Sequence, residues 1–259
     1  MQRIPAAVAP LFTNLTQGLP TLLGVNFVGL YVYGSVLDEE FDPACSDVDC
    51  ITVTERALDD DAFRRLSQWL SDAALEDHWF TRLQVLFLAG RNVLVEDPTA
   101  CLYQFGDLKR SGSDGNPIIW LDFFQRGRTL IGPHPESFVP EITPEILHRA
   151  LVREVGYLYE ECVQKPDPEH RDVPAYRSYA VITLCRILYS HRTGEVTSKP
   201  RAAAWALEHA PTVWHDLIRS ALAVGETGEL RSLPLSRIGA FIDYVRAQLA
   251  ATCGPQATM

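Results

Sequence analysis

Two aspartates two positions apart, Asp47 and Asp49, are the residues of this 259-residue chain whose type and spacing could do chemistry. They introduce an apolar, β-branched run, Val48 to Val53, with the length of a buried strand. Strand side chains alternate between faces, so both carboxylates project from one side, based roughly 7 Å apart. Alone they repel each other. A cation between them removes the repulsion, and carboxylate oxygens with room left for phosphate oxygens are the donor set that Mg²⁺ favours. An earlier run, Val28 to Tyr33, ends in Gly34-Ser35. Gly34 lets the backbone approach a phosphate closely, and Ser35 adds a hydroxyl donor beside it. An isolated Asp-x-Asp is usually a loop or a helix cap. A strand closed by Gly-Ser, a loop, and Asp-x-Asp opening a second strand is a far more specific combination.

Other elements must hold these groups in place. Ile4 to Leu23 carries apolar residues at helical spacing and leads into the first strand. Ala57 to Ala73 repeats that period, with Asp59 to Asp61 near its N-terminal end where the helix dipole favours them, and would cross back over the sheet. Phe80 to Leu88 reads as a third strand, with Leu83, Val85 and Phe87 on the face opposite Arg82, Gln84 and Leu86. Residues 89–141 are less regular: Ser111 to Pro117 is a turn-rich loop, Ile118 to Leu130 reads as a helix, and a connector starts at Gly132. Thr143 reads as an N-cap with Pro144 at the first helical position. Five apolar-striped segments follow, Ile146–Val163, Ala175–His191, Pro200–Ala210, Trp214–Val224 and Leu235–Leu249, as in a helical bundle. The fold class expected is therefore α+β: an N-terminal mixed-sheet domain over 1–142 and a C-terminal α-helical bundle over 143–259.

Composition narrows the partners. A net charge of −10 disfavours nucleic acid, whose phosphates demand a basic surface, and suits a polar, cationic small molecule. The hydrophobic share of 47% and charged share of 22% are those of an ordinary globular protein. Six cysteines (Cys45, Cys50, Cys101, Cys162, Cys185, Cys253) form no C-x-x-C pair and read as small hydrophobes of a reducing compartment. No stretch is long and apolar enough to span a membrane, and the expectation is a cytoplasmic protein. The seven histidines, His170 among them, share no metal-ligand spacing, and Trp205 and Trp214 read as bundle core.

The Gly-Ser and Asp-x-Asp combination resembles the signature of the nucleotidyltransferase superfamily, with its polymerase-beta-like mixed sheet. The second half sharpens this. Tyr179 to Tyr189, with Leu184-Cys185-Arg186-Ile187, then Thr193 to Leu207, with Ser198-Lys199-Pro200 and Trp205-Ala206, resembles the helical domain of AadA-type aminoglycoside nucleotidyltransferases, as does Tyr103-Gln104-Phe105-Gly106-Asp107 in the middle. Those enzymes move AMP from ATP to a hydroxyl of streptomycin or spectinomycin and are usually monomers. The resemblance implies that Asp47 and Asp49 hold Mg²⁺ on the ATP phosphates, that Gly34, Ser35 and Ser46 meet the triphosphate, and that Arg186 and Lys199 neutralise it.

Two departures from the family bear on activity and acceptor. The third-strand position, a glutamate proposed as general base in the family, is Gln84 here. An amide cannot take up a proton at neutral pH, and losing a general base costs ~10² to 10⁴ in rate. Asp107, Glu160 and Glu161 are carboxylates that could substitute. Leu108 stands where streptomycin-modifying members carry a tryptophan, and Tyr176 stands near the position of their acidic residue, which puts a different aminoglycoside or aminocyclitol ahead of streptomycin. The expected function is Mg-ATP-dependent adenylyl transfer to such a molecule. The alternative is a nucleotide-binding relative with little or no transfer because of Gln84.

Overall fold

The computed structural model describes residues 4–39, 41–44, 46–90, 93–164, 173–227 and 233–251. Cys45, His170 and Cys253 lie outside them. The chain divides into two compact units, Met1–Glu141 and Ile142–Met259.

The first unit is built on a six-stranded sheet in the order β5-β4-β3-β2-β1-β6. Its strands are β1 (Phe27–Tyr33), β2 (Val48–Thr54), β3 (Leu83–Ala89), β4 (Cys101–Gln104), β5 (Asp107–Arg110) and β6 (Arg128–Ile131). Only β2 and β3 run parallel, which obliges a crossover, and α2 (Asp60–Glu76) supplies it. Asp59 caps α2 by accepting the Ala62 N–H at 2.8 Å. α1 (Ala9–Leu23) buries Leu11, Phe12, Leu15 and Leu19 on the face of the sheet formed by Leu30, Val32, Val48, Val85 and Tyr103, together with Leu66 and Leu70 of α2. Burying each such leucine contributes about 1.5–3 kcal/mol, which makes this face the core of the unit.

The opposite face is covered in part by a third helix. α3 (Pro117–Arg126) places Trp120 and Phe123 with ring centroids 5.9 and 5.7 Å from Tyr31, both edge-on. Along β2, β3 and β4 that face carries Asp49, Gln84 and Gln104 at one end and the apolar Ile51, Val53, Leu86, Leu88 and Leu102 beyond them.

The second unit is helical: α4 (Pro144–Tyr159, continued by a π turn over Glu160–Gln164), α5 (Pro174–Thr193), α6 (Lys199–His209), α7 (His215–Thr227) and α8 (Leu235–Ala251). Thr143 caps α4 through the Ile146 N–H, with Pro144 at the first position. α5 is buried almost all round from Ala180 to Leu188, the pattern of a helix packed inside a bundle rather than on its surface.

Three sequence expectations are corrected. The helix expected over Ile118–Leu130 stops at Arg126, and Leu130 belongs to β6, paired with β1. The strand expected from Phe80 begins at Leu83, after a single 3₁₀ turn over His78–Thr81. Trp205 and Trp214 are both half-buried rather than core: Trp205 lines a cavity of about 410 Å³ in the second unit and stacks on His209 at 4.4 Å, and Trp214 packs on buried Phe241 at 5.1 Å.

Candidate active site

Strand register gathers the polar face. Tyr33 of β1 lies opposite Asp49 of β2, and Asp49 lies opposite Gln84 of β3, so three strands present these side chains in one row. Asp47, two residues before Asp49, lies on the same side, since the Gln84 Nε2 donates to its Oδ2 at 3.3 Å. A carboxylate only accepts, so the amide nitrogen must be the atom that faces it. Gln84 therefore sits beside both carboxylates and is tied to one of them.

The row continues across the sheet. Leu86 is opposite Leu102, which shares a face with Gln104, and Gln104 is opposite Asp107. Strands are spaced about 4.8 Å apart, so Asp107 stands two strands, roughly 10 Å, from Gln84 on the same face. Its carboxylate is exposed and pairs with Lys109 at 3.4 Å. Leu108 points the other way, into the core. The turn joining β4 to β5 is Phe105-Gly106, both left-handed (φ 54° and 78°), with Phe105 78% exposed. Tyr33, Gln84, Leu86, Leu102, Ile119 and the 111–114 loop enclose a depression of about 410 Å³ beside the aspartates.

Gly34 and Ser35 open a 3₁₀ turn, Gly34–Leu37, directly after β1. Gly34 has φ +79°, and a Cβ there would lie 2.5 Å from the Asp49 Oδ2. The glycine is thus required twice, by its backbone angle and by the carboxylate resting against it. The turn is fastened at its far end, where Asp38, 4% exposed, takes the Arg126 guanidinium at 2.5 Å, while the same guanidinium pairs with Asp122. Ser46 accepts the Asp42 N–H through Oγ at 3.1 Å, closing the loop just before Asp47. Burial, and then the Asp49 charge, hold the Cys50 thiol well above its ordinary range, which leaves it an inert neighbour.

The second unit holds the other expected residues. Half-buried Arg186 of α5 donates from Nε to the Thr197 carbonyl at 3.2 Å, two residues before exposed Lys199. Lys199 opens α6, whose cap is Ser198. The dipole there favours anions, so a lysine at that position adds to an already positive end. Tyr176 is half-buried near the start of α5, its ring 6.0 Å from that of Tyr179. Burial, followed by the charges of Tyr157, Cys162 and Glu161, pushes its phenol far above the ordinary range.

A metal fits this donor set only in company. Among the described residues no group of three or more His, Cys, Asp or Glu could hold an ion. Two carboxylates side by side suit a Mg²⁺ that completes its shell with phosphate oxygens and water. Tyr33 was given no site role by the sequence reading, because only cross-strand register places it on this face.

The fold matches the crystal structure of spectinomycin adenyltransferase AAD(9) from Enterococcus faecialis with ATP and spectinomycin, at TM-score 0.69 and 16% identity, covering 92% of this chain and 97% of that one. The molecule thus has a nucleotidyltransferase fold. Residues 137–248 match the family described as aminoglycoside adenylyltransferase, C-terminal domain. Aminoglycoside (3'')(9) adenylyltransferases from Escherichia coli and Klebsiella pneumoniae are 25% and 26% identical to it, over 96% of this chain and 98% of theirs. The helical unit is thus similar to that C-terminal domain, and the chain is similar over nearly its full length to those aminoglycoside adenylyltransferases.

Proposed function

We propose that the chain is an Mg-ATP-dependent adenylyltransferase that moves AMP to a hydroxyl of an aminoglycoside or aminocyclitol. The observation that carries this reading is the row formed by Asp49 and Gln84 with Asp47 beside it, flanked by the Gly34-Ser35 turn. The relatives' names supply the acceptor class: (3'')(9) adenylyltransferases of aminoglycosides, and a structural neighbour holding ATP and spectinomycin. Spectinomycin, an aminocyclitol, is the first acceptor to test.

In the reaction the acceptor oxygen forms a bond to the α-phosphorus, the bond to the bridging oxygen breaks, pyrophosphate leaves, and the hydroxyl proton passes to a base or to water. Bound with ATP, Mg²⁺ supplies charge neutralisation and polarises the phosphoryl group. Asp47 and Asp49 bind that ion. Gly34, Ser35 and Ser46 orient the phosphates, and Arg186 and Lys199 balance their charge. Gln84 holds Asp47 rather than taking the proton, and Asp107 and Tyr176 serve the acceptor side. ATP use suits the cytoplasm, as do four free, buried cysteines.

The test is incubation with ATP, Mg²⁺ and an aminoglycoside panel, reading pyrophosphate and the AMP adduct by mass. Transfer to spectinomycin that disappears in Asp47→Ala is the expected result. ATP binding with no adduct on any acceptor would leave a binding protein in place of the enzyme.

A further inference from the structure

Arg82 has no place in the chemistry just described, yet it takes hold of the chain on both sides of Asp47. Its main-chain carbonyl accepts the Val48 N–H at 3.0 Å. Its guanidinium donates from Nη2 to the Ser46 carbonyl and from Nη1 to the Pro43 carbonyl, the latter at 2.5 Å. One residue at the threshold of β3 therefore fixes the residue before and the residue after the first aspartate. A planar guanidinium with forked donors can bridge two carbonyls at once, which an ammonium cannot do in the same geometry.

The arginine is itself held in place. Its guanidinium lies 4.9 Å above the Trp79 ring, and its N–H bonds the Trp79 carbonyl at 3.1 Å. Trp79 is 5% exposed and stacks on Phe41 at 6.0 Å, at the other end of the segment leading to Ser46. The grip thus runs from packed aromatics through a cation to main-chain carbonyls beside Asp47. A charged group spent on the main chain next to a phosphate-handling carboxylate is an arrangement for setting a position.

We infer that Arg82 is a positioning residue, which holds the Asp47 carboxylate where it and Asp49 can share one divalent cation with a nucleotide triphosphate. The inference rests on the function proposed above. Without the two carbonyl anchors, Asp47 follows the loop that precedes it and no longer stays in line with Asp49. Misplacement by about 1 Å at a reacting centre costs on the order of 10²-fold in rate.

The experiment compares Arg82→Lys and Arg82→Met with the unaltered chain and with Arg65→Ala, whose guanidinium pairs with Asp61 on the surface of α2. Binding of Mn²⁺-ATP is followed by calorimetry and by water-proton relaxation, well below each variant's melting temperature, and kcat and KM are measured on an accepted drug. The expected result is a rise of about tenfold or more in the metal-nucleotide Kd of Arg82→Met. With it kcat falls by about 10²-fold, Arg82→Lys is intermediate, and Arg65→Ala is unchanged. Should Arg82→Met not fold, Arg82→Lys carries the comparison alone. Folded Arg82 variants with wild-type Kd and kcat, altered only in melting temperature, would make Arg82 a purely structural residue and overturn the inference. Mn²⁺-ATP binding by the unaltered chain with no transfer to any acceptor removes the proposed enzyme while the Kd comparison still decides on Arg82. An unaltered chain that binds no Mn²⁺-ATP overturns both.

Discussion

At Gln84 the chain keeps the geometry of a carboxylate site and changes its charge. The amide donates to Asp47, so it steadies one carboxylate where a glutamate would repel it. Gln84→Glu is expected to act in two ways at once, adding a third anionic donor for the cation and restoring a group able to accept the hydroxyl proton. A general base is worth ~10² to 10⁴ in rate, so kcat of Gln84→Glu on an accepted aminoglycoside should rise, with a lower Mg²⁺ concentration at half-maximal rate. Unchanged turnover, combined with an essential Asp107, would move the base two strands along the sheet. The pair Asp47 and Asp49 was legible in the sequence because a period of two is all that brings carboxylates together. Arg82 and Arg126 were not, because hydrogen bonds to partners 36 and 88 residues away leave no local pattern.

Among the elements, legibility followed length. The strands β1 and β2 were legible as apolar runs, the helices α1 and α2 by an apolar period over several turns, and the long α5 by its length and apolar content. The strands β4, β5 and β6 have four residues each, too few for alternation to register. β6 is also half-buried at every position, so it offers no contrast to read. The packing of α4 on α5 carries a pH dependence. The His191 ring of α5 lies 5.9 Å from that of His148 of α4. Burial holds the His191 pKa below 6.5, the charges of His148 and Arg192 lower it further, and a hydrogen bond with the Gln248 main chain opposes them. The unfolded chain takes the proton more readily, so this contribution to stability is complete above about pH 6.5 and declines as the pH falls. Thermal melts should show a lower Tm at acid pH, and His191→Gln should flatten that dependence.

For the molecule as a whole, the net charge of −10 matters most for a cationic acceptor. A negative field draws in a polycation and weakens as salt shortens the Debye length, to about 3 Å near 1 M. The KM for an accepted aminoglycoside should therefore climb steeply with salt while kcat stays nearly level. A salt-independent KM would show that acceptor capture depends on short-range contacts alone.

The contact between Gly34 and Asp49 has a sequel for how this enzyme can be altered. A methyl group at position 34 would meet the Asp49 oxygen at 2.5 Å, in a backbone conformation that alanine adopts with strain. The carboxylate would yield before the sheet does, since it lies at the far end of a rotatable side chain and the sheet is main chain. Gly34→Ala should give soluble, sheet-intact protein with the proposed metal–triphosphate grip undone, so a screen for expression would pass it and an adenylyl-transfer assay would not.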